Sequence, residues 1–111
     1  MTDLNFIKGS VFNPVITYWQ DSAKTTPHNL TGFICQFLIK DDLSDDDGDA
    51  LYNLSSAGSG LILDAVNGTM SITLTGDQSN TMSKSYYYFE LKITSAGGEK
   101  TIIADGRLVR T

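Results

Sequence analysis

Apolar and polar residues alternate with a period of two along most of this chain, and no stretch carries an apolar stripe of helical period over three turns. In TMSITLT, Met70, Ile72 and Leu74 fall on one face and Thr69, Ser71, Thr73 and Thr75 on the other, which predicts a half-buried strand with a hydroxyl-rich outer face. YYYFELKI repeats the device, with Tyr87, Phe89, Leu91 and Ile93 facing in and Tyr86, Tyr88, Glu90 and Lys92 facing out. FICQFLIK puts Phe33, Cys35, Phe37 and Ile39 on one face, while Ile34 and Leu38 make its other face too apolar for a free surface, so this strand is expected to be central or covered. In SVFNPVITYW the pattern is interrupted by Pro14, whose missing N–H confines such a strand to a sheet edge or a bulge.

Shorter apolar runs, ALYNL, GLILDAV and KTIIADGRLV, complete seven or eight strands, and turn signals such as DDDGD, SAGSG, NG and AGGE separate them. Their number and spacing point to an all-β, two-sheet antiparallel sandwich. TGDQSNTMSKS, residues 75 to 85, is the longest plainly polar connector; it has room for one helical turn but also fits a strand-to-strand loop of usual length.

Length and composition narrow the picture. A chain of 111 residues with 41% hydrophobic and 10% aromatic content is a single domain, 1–111, that buries enough surface to fold alone. The net charge is −5, yet six of the thirteen acids lie between Asp41 and Asp49, and the rest of the chain has seven acids against eight bases. With no basic stripe to track phosphates, neither nucleic acid nor an anionic membrane is an expected partner. The lone Cys35, flanked by large apolar residues, reads as a small buried hydrophobe. The N-terminal MTDLNFIKGS has no basic region followed by an apolar one, so synthesis in a cytosol is expected. The sequons at Asn29, Asn53 and Asn67 then read as turns and strand starts rather than glycan sites.

Candidate chemistry is sparse. Placing Gly48 at the sixth position of an EF-hand loop puts Leu43 at the first and Leu54 at the twelfth, where oxygen ligands are needed, so that frame fails. A looser cation site through Asp45, Asp47 and Asp49 is outweighed by a solvated, charged hairpin tip that also discourages edge-to-edge aggregation. His28 is the only histidine, no G-x-S-x-G elbow is present, and no Gly-Lys-Ser/Thr follows SAGSG. The expectation is a protein with no enzymatic activity, no cofactor and no metal. Trp19, Tyr86 and Tyr88 are the candidate interaction residues, as a protein-contact or sugar-stacking surface, although the same side chains could simply pack under loops.

In order, GSVFNPVITYW, NLTGFICQFLIK, GTMSITLT, YYYFELKI and IADGRLV resemble the small immunoglobulin-like β-sandwich domains of tailed phages and prophages found at the N-terminus of baseplate upper proteins. The points of match are Gly9 and Phe12, Leu30-Thr31-Gly32 before Phe33, Gly68 before an alternating strand, Tyr87-x-Phe89-x-Leu91, and Gly106 in the last strand. The aspartate loop is longer and more acidic than the corresponding turn of those domains. The resemblance implies an immunoglobulin-like sandwich and a non-enzymatic virion structural role in the tail, baseplate or fibre-attachment region. Its partners would be other phage structural proteins and further copies in a symmetric assembly. A capsid decoration (cement) protein and a carbohydrate-binding module using Trp19, Tyr86 and Tyr88 are the alternatives.

Overall fold

The computed structural model describes residues 2–19, 28–42 and 50–111. Among these residues, eight strands and one short helix follow in the order β1 (Thr2–Phe6), β2 (Val15–Thr17), β3 (Ile34–Lys40), β4 (Tyr52–Ser55), β5 (Leu61–Asp64), β6 (Thr69–Ile72), α1 (Gly76–Asn80), β7 (Tyr86–Thr94) and β8 (Lys100–Arg110). They form a five-stranded sheet, β1-β8-β7-β3-β4, and a three-stranded sheet, β2-β6-β5. The architecture is all-β with two sheets, as the periodicity predicts.

The period-two pattern becomes the core. Phe37, Ile39, Phe89, Leu91, Met70, Ile72 and Leu74 are each at most 1% exposed, and they belong to one cluster contributed by both sheets. Burial of each such side chain contributes about 1.5–3 kcal/mol. Across β3 and β7 the register sets Phe37 opposite Leu91 and Ile39 opposite Phe89, and the Phe37 and Phe89 rings stack at 5.3 Å. Gly106 of β8 stands opposite Phe89 and presents no side chain to it. Cys35 is fully buried in the same cluster, and burial pushes its thiol up to about 11.

Two expectations need correcting. The sheets are not wholly antiparallel: β1 pairs parallel with β8, Thr2 beside Gly106 through Phe6 beside Arg110. Pattern alone cannot give this, because the two strands are separated by nearly the whole chain and no short connection dictates their sense. The outward positions of YYYFELKI are also less open than the alternation implies. Glu90 is 8% exposed, and on the neighbouring strand Lys40 is 3% exposed beside the fully buried Leu38. Of the apolar outer face of FICQFLIK, Leu38 is thus covered whereas Ile34 at the start of the strand is 44% exposed, and the strand lies between β7 and β4.

Pro14 precedes β2, and β2 is an edge strand. The Pro14 carbonyl accepts from the Ile72 N–H at 3.0 Å, so proline fills a ladder position that needs only an acceptor. The polar connector does hold one helical turn. Thr75 caps α1 by accepting from the Gln78 N–H while the Gln78 side chain accepts from the Thr75 N–H, a reciprocal capping box. Asn29 and Asn67 lie in turns and Asn53 in β4.

Candidate interaction surface

Two features of the surface combine side chains from several elements. The first is the outer face of the five-stranded sheet. Alternation on β7 directs Tyr86 and Tyr88 outward, and their rings meet edge-on at 5.7 Å. Across the β7–β8 ladder Arg107 stands opposite Tyr88, and its guanidinium lies over the Tyr86 ring at 5.8 Å. The parallel β1 strand brings Asp3 opposite Arg107, where the guanidinium donates to both carboxylate oxygens, at 2.9 Å and 3.3 Å. That pairing holds Arg107 above its usual range, first through the hydrogen bond and then through charge. Tyr88 is also raised, mainly by desolvation and then by the neighbouring Tyr86 phenol, with Arg107 acting in the opposite sense.

Further along the same face, the Lys40 ammonium donates to Glu90 Oε1 at 2.6 Å, with side-chain exposures of only 4% and 11%. The pair lies diagonally across the β3–β7 ladder, and Glu90 faces Asp105 on β8. At the rim, Lys84 reaches Asp41 at 3.4 Å as an exposed pair. Tyrosine and arginine are the side chains that dominate protein-binding hot spots, and here they sit on a strand scaffold with their rotamers held by neighbours.

The second feature is a groove of about 400 Å³ at one side of the sandwich, lined by Leu4, Phe6, Phe12 and Pro14 among others. It lies between β1 and the segment Ser10–Pro14 that leads into β2. Ile7 and Val11 along it are 59% and 58% exposed, and Val15, just beyond it, 64%.

The structure joins two of the three candidate aromatics. Tyr86 and Tyr88 form one cluster, whereas Trp19, half-buried, follows β2 in the other sheet. His28 stacks on Tyr18 at 5.1 Å and meets Phe33 edge-on at 6.1 Å, a packing role between two aromatic rings. Asp45, Asp47 and Asp49 lie outside the described residues; among those described, no group of three or more His, Cys, Asp or Glu gathers to hold a metal. No described helix is long and apolar enough to cross a membrane.

Arg107, Asp3, Lys40 and the β1–β2 groove were not singled out by sequence. The lysine and the glutamate occupy outward positions of two alternating strands, but only the register brings them together. The groove had one visible signal, the uncharged run from Gly9 to Gln20. No protein-family model matches the chain, and no curated protein matches it in sequence.

Proposed function

We propose that the chain is an immunoglobulin-like sandwich that serves as a non-enzymatic assembly module of a phage virion, in the tail, baseplate or fibre-attachment region. The strand order carries the reading. Immunoglobulin domains of variable type arrange strands G-F-C-C′ in one sheet and B-E-D in the other. The orders β8-β7-β3-β4 and β2-β6-β5 follow that plan strand for strand. A second mark supports it. Tyr87 is buried near the start of β7, and its hydroxyl accepts from the Lys84 N–H at 3.1 Å, the arrangement of the tyrosine corner of such domains. Phe89, two residues on, holds the place of the second disulfide cysteine and stacks on Phe37 instead.

The virion location is supported by the likeness of the ordered segments to phage domains. On this reading the partners are other phage structural proteins and further copies of the chain, neither nucleic acid nor membrane is bound, and the Tyr86, Tyr88 and Arg107 cluster is the contact surface. Repetition of virion parts makes a symmetric assembly the natural state. Mass spectrometry of purified particles from a phage or induced prophage encoding the chain tests the proposal. Presence in stoichiometric amount is expected, with low copy number for a tail part. Very high copy number would move the protein to the capsid surface, and absence from the particle would refute the virion role.

A further inference from the structure

Of the two edges that flank the groove, that of β1 carries the ion-paired Asp3 and polar Asn5. The β2 edge lies in a run without any charge from Gly9 to Gln20, although charge is the usual device that keeps foreign strands off a sheet edge. Phe12, Pro14 and Tyr18 direct their backbone groups to β6 and the turn before it: Phe12 exchanges two bonds with Leu74, Ile72 donates to Pro14, and Tyr18 donates to Gly68. By alternation, the N–H and C=O groups of Asn13, Val15 and Thr17 point away from the sheet. Proline at position 14 therefore leaves the free side of the strand intact, because its missing N–H is on the β6 side.

The apolar groove lies beside the start of this edge, where Val11, Phe12, Asn13 and Pro14 line it. A row of backbone donors and acceptors that bond no other described residue, beside an apolar trough, is the chemistry that recognises an extended peptide, with main-chain bonds supplying affinity and alternate side chains filling the trough. Size selects the occupant. From residue 13 to 17 the free edge runs ~13 Å, and the gap between packed sheets is ~10 Å. The strip is one strand long and one sheet gap deep, the room that a single extended segment needs. The wall is preformed: the Ser79 hydroxyl donates to the Ser10 carbonyl at 2.7 Å and accepts from the Gly9 N–H at 3.1 Å, so α1 holds the turn that leads from β1 toward β2.

We infer that the free edge at Asn13–Thr17 receives an extended segment of a partner protein, which joins the three-stranded sheet as a fourth strand and lays uncharged apolar side chains of its inward face into the groove between β1 and Ser10–Pro14. This rests on the assembly reading and gives it a mode of docking. The probe is a set of nonapeptides with Leu, Ile, Val or Phe at alternate positions and Thr or Lys between, titrated to 1 mM into the isotope-labelled chain and followed by amide shifts and hydrogen exchange.

At least one peptide should bind, shift the amides of Asn13, Val15 and Thr17, and slow exchange at Val15 tenfold or more. Val15→Pro removes an outward N–H without touching the β6 ladder and should weaken binding at least tenfold with the melting temperature kept within a few degrees. Asn13→Pro serves the same purpose should the first variant fail to fold. The inference is overturned if no peptide binds at 1 mM, if the shifts centre on Tyr86 and Tyr88, if either folded proline variant binds as well as the parent, or if sedimentation shows a dimer that buries this edge. None of these outcomes bears on the presence of the chain in a virion, so the two proposals fail separately.

Discussion

Replacing Lys40 by methionine tests how much of the fold depends on a charge pair on the outer face of the larger sheet. The substitution keeps the length of the side chain and removes the ammonium that sits 2.6 Å from Glu90 Oε1. Glu90 is then left 8% exposed, opposite Asp105, with like charges facing each other across the ladder. Removing one partner of a buried pair costs about 3–5 kcal/mol, against about 0–1 kcal/mol for an exposed pair. At about 4 °C per kcal/mol for a domain of this size, Lys40→Met should melt ~12–20 °C below the parent. The double variant Lys40→Met with Glu90→Leu removes both charges and should return to within ~1 kcal/mol of the parent. Urea unfolding followed by Trp19 fluorescence, with calorimetry as a second probe, gives the four corners of the cycle. A loss below ~1 kcal/mol for Lys40→Met would show that water reaches the pair and that its burial does not govern its energetics.

Three further outcomes follow from the geometry. Gly68→Ala places a Cβ 2.3 Å from the His28 carbonyl oxygen at φ +61°, where backbone must move, so a loss of about 3 kcal/mol or more is expected; Gly60→Ala meets only the Leu54 side chain at 2.5 Å and should cost less, and equal melting temperatures would refute the contrast. Ser79→Ala removes the fully buried hydroxyl that ties α1 to the Gly9–Ser10 turn, and should cost about 2 kcal/mol and speed exchange of the Gly9 amide. The Cys35 thiol, raised from 9.0 to about 11, is neutral in the fold and ionises more readily once unfolded, so its contribution to stability is complete below pH 9 and is lost as pH rises from there to about 11. A thiol reagent at pH 8 should label it only as fast as the chain opens, and rapid labelling of the folded protein would contradict that burial.

The inward faces were legible wherever alternation was uninterrupted. Met70, Ile72 and Leu74, and Tyr87, Phe89, Leu91 and Ile93, are all buried, because a strand with one apolar face has one way to lie. Leu4 and Phe6 alternate with Asp3 and Asn5 in β1, a signal of the same kind, but it spans only five residues and two of them, Asp3 and Asn5, disfavour strands, so the pattern there is weak. The edge position of the strand after Pro14 followed from a single missing N–H. What could not be read was pairing. Nothing in the local pattern says that the first strand lies beside the last, that Lys40 reaches Glu90, or that Arg107 bridges Asp3 and Tyr86. These depend on register between distant segments, and the candidate surface is assembled from just such contacts.

The parallel pairing of β1 with β8 has a mechanical meaning. The chain enters this strand pair at Thr2, beside Gly106, and leaves at Thr111, whose N–H donates to the Phe6 carbonyl at the opposite end. Tension drawn between Thr2 and Thr111 therefore pulls the two strands past each other along their length. Their hydrogen bonds are loaded together rather than peeled one at a time, as they would be had the strands run antiparallel and been pulled apart at one end. The Asp3–Arg107 bridge lies across the same seam and shares that load. Force applied across this strand pair thus meets a lock in the β1–β8 seam before it reaches the core.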